Sequence, residues 1–339
     1  MQLSDEGGFS GVRVLEALDI ESLPVGRTSQ VLVELVHDGL GRPIRVPMFV
    51  ARGRLPGPTF GLTAAVHGNE LTDVPVMHQV FDWLDPKKLK GTVVGVIVVN
   101  VPGLLMFQRE FIDGSDLNRS MPGRANGNIS QVYAHRFLDR IVRCFDFLAD
   151  LHTASFGRAN SLYVRADMTH PVAAKMAYLQ RPQIIVHSPA ADGTLRGTAM
   201  TMNIPAITVE IGDPQLFKQE LIRRSVLGIR AMLSELGMLT KTKIALGADP
   251  VVCDRSSWVY TDHGGLLQVL PKITERVQAN DVVARLTNVF GELTREYRAP
   301  EAGVVVGLST NPVSQTGARI VHLGRVVDPA ELSFQRRGG

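Results

Sequence analysis

Residues 60–84, FGLTAAVHGNELTDVPVMHQVFDWL, change character at a single point. Phe60 to Val66 is an apolar run of strand length. His67-Gly68-Asn69-Glu70 ends it abruptly, and Val74, Met77, Val80, Phe81 and Leu84 then follow at helical spacing. The stretch therefore predicts a buried strand, a polar loop and an amphipathic helix. The pattern recurs. Val93 to Val99 predicts a second buried strand, followed by a long loop that carries Arg109 and Asp116-Leu117-Asn118-Arg119. An amphipathic helix then runs from about Ser130 to Cys144. Phe145 to Leu151 ends in His152-Thr153. Ile184 to Val186 reads as another strand, and Ala206 to Val209 ends in Glu210-Ile211-Gly212. Pro214 is then placed to open a helix reaching about Met238. Upstream, β-branched runs between Val31 and Val50 flank Asp38-Gly39-Leu40-Gly41 as a hairpin would.

Strands that are apolar along their whole length and alternate with helices predict an α/β fold: a mixed, mostly parallel sheet covered by helices. Beyond about Ala248 the helical period disappears. Short β-rich runs (Trp258–Tyr260, Leu266–Leu270, Val282-Val283, Val304–Val306, Ile320-Val321) are separated by Gly, Pro and Asn. The expected organisation is an α/β domain over residues 1–248 and a smaller all-β domain over 249–339. No internal repeat or low-complexity segment is seen.

The chain has 339 residues, 45% hydrophobic and 20% charged, which excludes disordered, collagen-like and coiled-coil classes. Thirty-six Lys and Arg against 33 Asp and Glu give a net charge of +3 with no long basic run, so a nucleic-acid partner is not expected. The opening MQLSDEGGFS lacks the features of a secretory signal. The longest apolar stretch, Thr92 to Phe107, is broken by Asn100, Pro102 and Gly103 and is too short to span a bilayer. Two cysteines cannot build a disulfide framework. A cytoplasmic protein without a membrane partner is the expectation.

In open α/β sheets ligands gather at the carboxyl ends of strands, where the polar clusters of this chain lie. His67 and Glu70 are three apart at one strand end and His152 stands at another. Two imidazoles and one carboxylate form a known catalytic zinc set that leaves a coordination position open. Asp150 could fix the His152 tautomer. Glu210 ends an apolar strand, where an unpaired carboxylate would be costly; a structural ion pair and a proton-transfer role are both open readings. Arg109, Asn118 and Arg119 bring two guanidinium groups and an amide to one loop, suited to a carboxylate or to a solvated surface, and Arg196 is a further candidate for anion binding.

Taken in order, HGNE at 67–70, the run from Arg109 to Gly123 containing DLNR, DLHT at 150–153 and VEIG at 209–212 resemble the succinylglutamate desuccinylase/aspartoacylase family, a branch of the zinc carboxypeptidase fold. The likeness covers about residues 45–240, and the terminal β segment also resembles the one these deacylases carry over the active site, which implies that residues 1–248 are the catalytic domain and that 249–339 cover or flank its site. It implies one Zn²⁺ per chain held by His67, Glu70 and His152, with Glu210 as general acid/base. Arg109 would polarise the scissile carbonyl, and Asn118 and Arg119 would hold a substrate carboxylate. The implied reaction is hydrolysis of the amide of a small N-acyl amino acid. Two departures stand out: Ser115 occupies a position where the family usually has Arg, and the Tyr that peptide-cleaving relatives place near their general base has no clear counterpart. A carboxypeptidase acting on short peptides and a non-catalytic binding protein of the same fold are the alternatives. The β segment looks biotinyl/lipoyl-like but has no Lys in an attachment setting. A homo-oligomer is compatible with the sequence.

Overall fold

The structure is a computed structural model that describes residues 2–3, 7–189, 193–241 and 247–330. Fifteen strands form one mixed sheet and four form a second, smaller sheet among the described residues. The N-terminal part comprises β1 (Gln2–Leu3), β2 (Arg13–Leu15), β3 (Arg27–His37), β4 (Pro43–Arg52), β5 (Leu55–Thr63), α1 (Asp73–Trp83) and β6 (Lys90–Val96). Next come α2 (Val101–Leu105), α3 (Ile129–Arg140), β7 (Phe147–His152), β8 (Arg158–Asn160), β9 (Leu162–Ala166), α4 (Pro171–Leu179) and β10 (Ile184–His187). α5 (Leu195–Thr201), β11 (Ala206–Ile211) and α6 (Gln219–Glu235) complete the helical part. β12 (Val251–Tyr260), β13 (Gly265–Val269), β14 (Arg276–Val277), β15 (Val282–Thr287), β16 (Leu293–Arg298), β17 (Gly303–Ser309), β18 (Val313–Ser314) and β19 (Arg319–Val326) follow.

The large sheet runs β1-β2-β3-β4-β6-β5-β7-β11-β9-β10-β12-β19-β17-β14, with β8 paired to β17. Its centre, β6-β5-β7-β11, is parallel. β9 enters antiparallel to β11. The mixed sheet flanked by helices that the sequence predicts is therefore present, and β13, β15, β16 and β18 form the separate antiparallel sheet.

Alternation along the central strands explains the layering. Phe60, Leu62, Val93, Ala149, Leu151, Ile207 and Val209 pack with α1, α4 and α6 on one face. Val94, Val96, Leu148 and Ala206 pack with α3 and α5 on the other. Burial on both faces is why these strands read as continuous apolar runs. α3 starts from a capping box in which Asn128 accepts from Gln131 N and the Gln131 side chain accepts from Asn128 N.

Pro214 does not open α6. The helix begins at Gln219, and Pro214 lies in an irregular segment that also exposes Leu216 and Phe217. Lys218, with ψ of 98°, is still extended, so the helical backbone starts only after it. β8, β9 and α4, between His152 and Ile184, have no counterpart in the sequence reading, and α2 follows β6 where an exit loop was expected.

Continuity of the large sheet brings C-terminal residues to the site. β10 pairs in parallel with β12, Ile184–Val186 against Val251–Cys253, and β8 pairs with β17. Tyr163, Ile184, Val186, Cys253, Val304 and Val306 form one buried cluster across this junction. Among the described residues no helix is long and apolar enough to cross a membrane.

Candidate active site

The carboxyl ends of β5, β7 and β11 converge on one cavity of about 390 Å³. After β5 the chain turns through Ala65, whose φ is +50° and whose N–H donates to the buried Asp73 carboxylate at 2.8 Å. His67 to Glu70 then close a turn through Glu70 N to His67 O, 3.1 Å. Gly68 sits directly against α2: a Cβ there would lie 2.0 Å from the Gly103 carbonyl carbon. The three nearest atoms, Gly103 C and O and Leu104 N, are all backbone, so neither side can yield cheaply. Gly68→Ala should therefore move the His67–Glu70 turn and destabilise the fold by about 1–3 kcal/mol, with weaker metal retention. Chemical denaturation and metal analysis of the variant check this, and wild-type values in both would refute it.

Nδ1 of His67 and Nδ1 of His152 each lie 3.0 Å from Glu70 Oε2. All three residues are buried, and their ligand atoms fall within 4.8 Å of one another, forming a group able to hold a metal ion. Their far sides are held. His152 Nε2 lies 2.8 Å from Asp150 Oδ2, and the other oxygen of that buried carboxylate accepts from Thr63 Oγ1 at 2.7 Å. His67 Nε2 lies 3.1 Å from Asp116 Oδ1. With Nε2–H donating to a carboxylate in each case, both Nδ1 atoms present lone pairs inward. His67 Nδ1 has no hydrogen-bond partner although it is buried, its approach to Glu70 having the distance but not the angle. An orphaned acceptor nitrogen beside a carboxylate and a second imidazole nitrogen is a donor set that fits a divalent metal.

The charges are mutually arranged. Burial alone would raise the Glu70 carboxyl, but His67 and His152 outweigh it and hold it well below its usual range. Burial opposes charge on His152, yet Asp150 and Glu70 prevail and lift its pKa well above the ordinary imidazole value.

Glu210 owes its place to strand register: it stands opposite His152 across β7–β11 and opposite Tyr163 across β9–β11. Asn160 Nδ2 donates to its Oε2 at 3.1 Å. Burial raises its pKa, with Glu70 adding to the rise against the pull of His152 and Arg165. A carboxylate so placed, with its proton affinity raised by burial, is suited to accept a proton.

Arg109 is more committed than its loop position suggests. It donates to Glu70 Oε1 (2.7 Å), to Ser155 Oγ (2.6 Å) and twice to Asp116 Oδ2 (3.2 and 2.9 Å). Of five guanidinium donors one, on Nη2, is left for another acceptor. Asp116 was not singled out from the sequence, yet it joins His67, Arg109 and the Asn118 N–H in one hydrogen-bonded node. Asn118 Oδ1 accepts from Leu195 N at 2.8 Å, so its NH2 group is the end left for a ligand. Arg119 and Arg196 line the same cavity. Arg196 is fully buried and donates to Ser188 O, Ser188 Oγ and Pro189 O, each at 3.2 Å. Thus His67, Glu70, His152 and Glu210 line one cavity together with Arg109, Asn118, Arg119 and Arg196, and Asp150 stands behind His152 without lining it. Arg158, Asn160, Tyr163, Arg165, Trp258, Arg319 and His322 also line the cavity and were missed. Only Trp258 fell in a segment read as strand, and nothing in its spacing pointed to a site.

The family model of the succinylglutamate desuccinylase/aspartoacylase catalytic domain matches residues 56–236. The chain belongs to this family. Among curated proteins, N-alpha-acetyl-L-2,4-diaminobutyric acid deacetylase of Halomonas elongata is 23% identical over 299 residues, covering 84% of this chain and 87% of the relative. Solved structures share the fold. A succinylglutamate desuccinylase/aspartoacylase from Rhodobacter sphaeroides superposes with a TM-score of 0.82 at 20% identity, covering 93% of this chain and 99% of its own. The product-bound ectoine utilization protein EutE (DoeB) from Ruegeria pomeroyi gives 0.80 at 20% identity, covering 90% and 98%.

Proposed function

We propose that this member of the family is a zinc-dependent amidohydrolase that removes the acyl group from a small N-acyl amino acid. The observation that carries the reading is the inward-facing set of His67 Nδ1, His152 Nδ1 and the Glu70 carboxylate at the floor of a cavity that also holds Glu210. The curated deacetylase relative supports the same reaction class. His67, Glu70 and His152 would hold the metal, which supplies Lewis-acid activation of water and of the amide carbonyl.

The chain's own groups do the rest. Glu210 takes a proton from the attacking water and returns it to the nitrogen of the departing amine, so the C–N bond breaks to give a carboxylate and a free amine. The remaining Nη2–H of Arg109 is the donor for the oxygen that gains charge as the carbonyl carbon becomes tetrahedral. The Asn118 NH2 group and Arg119 bind a carboxylate of the substrate and fix which amide faces Glu210. Asp150 and Asp116 hold the two imidazoles in the tautomer that presents Nδ1. We also propose that residues 1–248 carry the chemistry and that the β-rich residues 249–339 complete one side of the binding cavity.

Metal analysis of the purified protein, followed by measurement of amine release from a panel of N-acetyl and N-succinyl amino acids beside matching dipeptides, tests this reading. Stoichiometric zinc and turnover of N-acyl amino acids in preference to dipeptides are expected. Zinc affinity should strengthen as pH rises, because the proton that His152 holds more tightly than an ordinary imidazole must leave before Nδ1 can bind metal. Absence of bound metal together with no activation by added Zn²⁺ would overturn it.

A further inference from the structure

His67 and Glu70 stand on one loop, residues 64–72, which leaves β5 and enters α1. A hydrogen bond joins the two ends of that loop. The Ala65 N–H donates to Asp73 Oδ2 at 2.8 Å, and the eight residues that the bond spans include both His67 and Glu70. Asp73 is the first residue of α1 and is fully buried. Its other oxygen, Oδ1, is buried with no hydrogen-bond partner among the described residues. Burial pushes this carboxyl well above its usual range, against the opposing pull of the Ala65 N–H. A carboxyl buried with one oxygen unsatisfied costs stability wherever it stands. What it gives in return is the hold on Ala65.

Ala65 needs one. Its φ of +50° is left-handed, a conformation that glycine takes freely and that a residue with a Cβ keeps only when its surroundings impose it. Ala64 N donates to Val96 O at 3.0 Å and Asn100 N donates to Ala65 O at 2.9 Å, so the strand side and the carbonyl are fixed by backbone. Asp73 fixes the N–H. The left-handed residue turns the chain out of the line of β5 two residues before His67. An extended Ala65 would carry His67 onward along the strand direction and take its Nδ1 away from Glu70 Oε2, now 3.0 Å distant. Elsewhere on the loop Glu70 N donates to His67 O, and Thr72 Oγ1 lies 3.2 Å from Leu216 O. Neither contact acts on the backbone of Ala65.

We propose that Asp73 is a positioning residue for the metal site: its carboxyl holds Ala65 left-handed and thereby sets His67 against Glu70 before a metal arrives. The hydrogen bond carries the role, not the charge. The consequence for metal rests on the proposed ligand role of His67 and Glu70; the hold on Ala65 does not.

The test uses the full-length protein. Asp73→Ala and Asp73→Leu both remove the acceptor, the second while filling the space, and Asp73→Asn keeps an oxygen for the Ala65 N–H. Folding is read by thermal melting, zinc affinity by competition with a chelator, and site geometry by the visible absorption of the Co²⁺-substituted protein. Hydrogen exchange of the Ala65 amide is followed in the metal-free protein. Asp73→Ala and Asp73→Leu should fold, bind zinc about 10–100-fold more weakly and show an altered Co²⁺ spectrum. Their Ala65 amide should exchange about tenfold faster or more, while Asp73→Asn stays within about threefold of wild type throughout. Adding Ala65→Gly to Asp73→Ala should recover most of the lost zinc affinity, because glycine takes the left-handed conformation without the bond.

Wild-type zinc affinity in the Ala and Leu variants, an equal loss in Asp73→Asn, or no recovery on adding Ala65→Gly would overturn the role. So would failure of both the Ala and Leu variants to fold, which would make Asp73 a requirement of the fold as a whole. A wild-type protein that binds neither zinc nor Co²⁺, while its Ala65 amide still depends on Asp73, would refute the metal reading instead and leave the hold on Ala65 standing.

Discussion

Glu210→Gln should retain zinc at the wild-type level and lose about 10²–10⁴-fold in kcat. The substitution is close to isosteric, and Asn160 Nδ2 can still donate to the remaining carbonyl oxygen. Glu210 coordinates nothing in the His67–Glu70–His152 group, so metal content has no reason to change. What is lost is a basic oxygen beside His152. Burial already raises the affinity of this carboxylate for a proton, and a neutral amide at the same position can neither accept the proton of water nor return it to the leaving nitrogen. Steady-state kinetics on the preferred substrate, with metal analysis on the same preparation, gives the answer. Turnover within a few-fold of wild type would remove Glu210 from the chemistry and return it to the role of a strand-end carboxylate held by Asn160.

Glu70→Ala is the more damaging change, because Glu70 does two things at once. One oxygen faces the two imidazoles; the other receives Arg109 and Ser155. Removal leaves a fully charged guanidinium and two imidazoles in a buried space with one carboxylate fewer. Breaking a buried pair by deleting one partner costs about 3–5 kcal/mol. The variant should therefore lose stability in that range by urea denaturation with chelator present, fail to retain stoichiometric zinc and fall below Glu210→Gln in activity. Comparison under chelation separates the packing and charge effect from the lost metal. A Glu70→Ala protein that keeps a full complement of zinc and works within tenfold of wild type would exclude Glu70 as a ligand.

The strand-end motifs were legible because each couples a local signal to a local structure. HGNE, DLHT and VEIG interrupt apolar runs, and the parallel centre of the sheet then brings the interruptions to one edge. Two kinds of information were not local enough. Asp116 reads as the residue that caps a short turn, which it is, since it accepts from Asn118 N; its contacts with His67 and Arg109 depend on loop folding across 49 and 7 residues. β8 and β9 are short, and the segment Ser155 to Ala166 carries Gly157, Arg158 and Asn160 among its apolar residues. The insertion of β9, antiparallel to β11 and parallel to β10, puts Tyr163 beside Glu210 and is visible only in three dimensions. Trp258, Arg319 and His322 are further removed still, because they reach the cavity only through pairing of strands remote in the chain.

That pairing divides the labour of the molecule along its sequence. Every residue assigned to bond-breaking lies before Ile211, whereas Trp258, Arg319 and His322 lie on strands after residue 250, joined to the first part by the β10–β12 ladder. Substitutions among the cavity-lining residues of β12 and β19 can therefore retune which molecule is admitted while the machinery that cuts it stays constant. The two properties are free to drift at different rates, with one limit: register. Trp258 faces His322 across a strand pair, and a slip of one residue in either strand would turn that strand's ring to the opposite side of the sheet and break the stack.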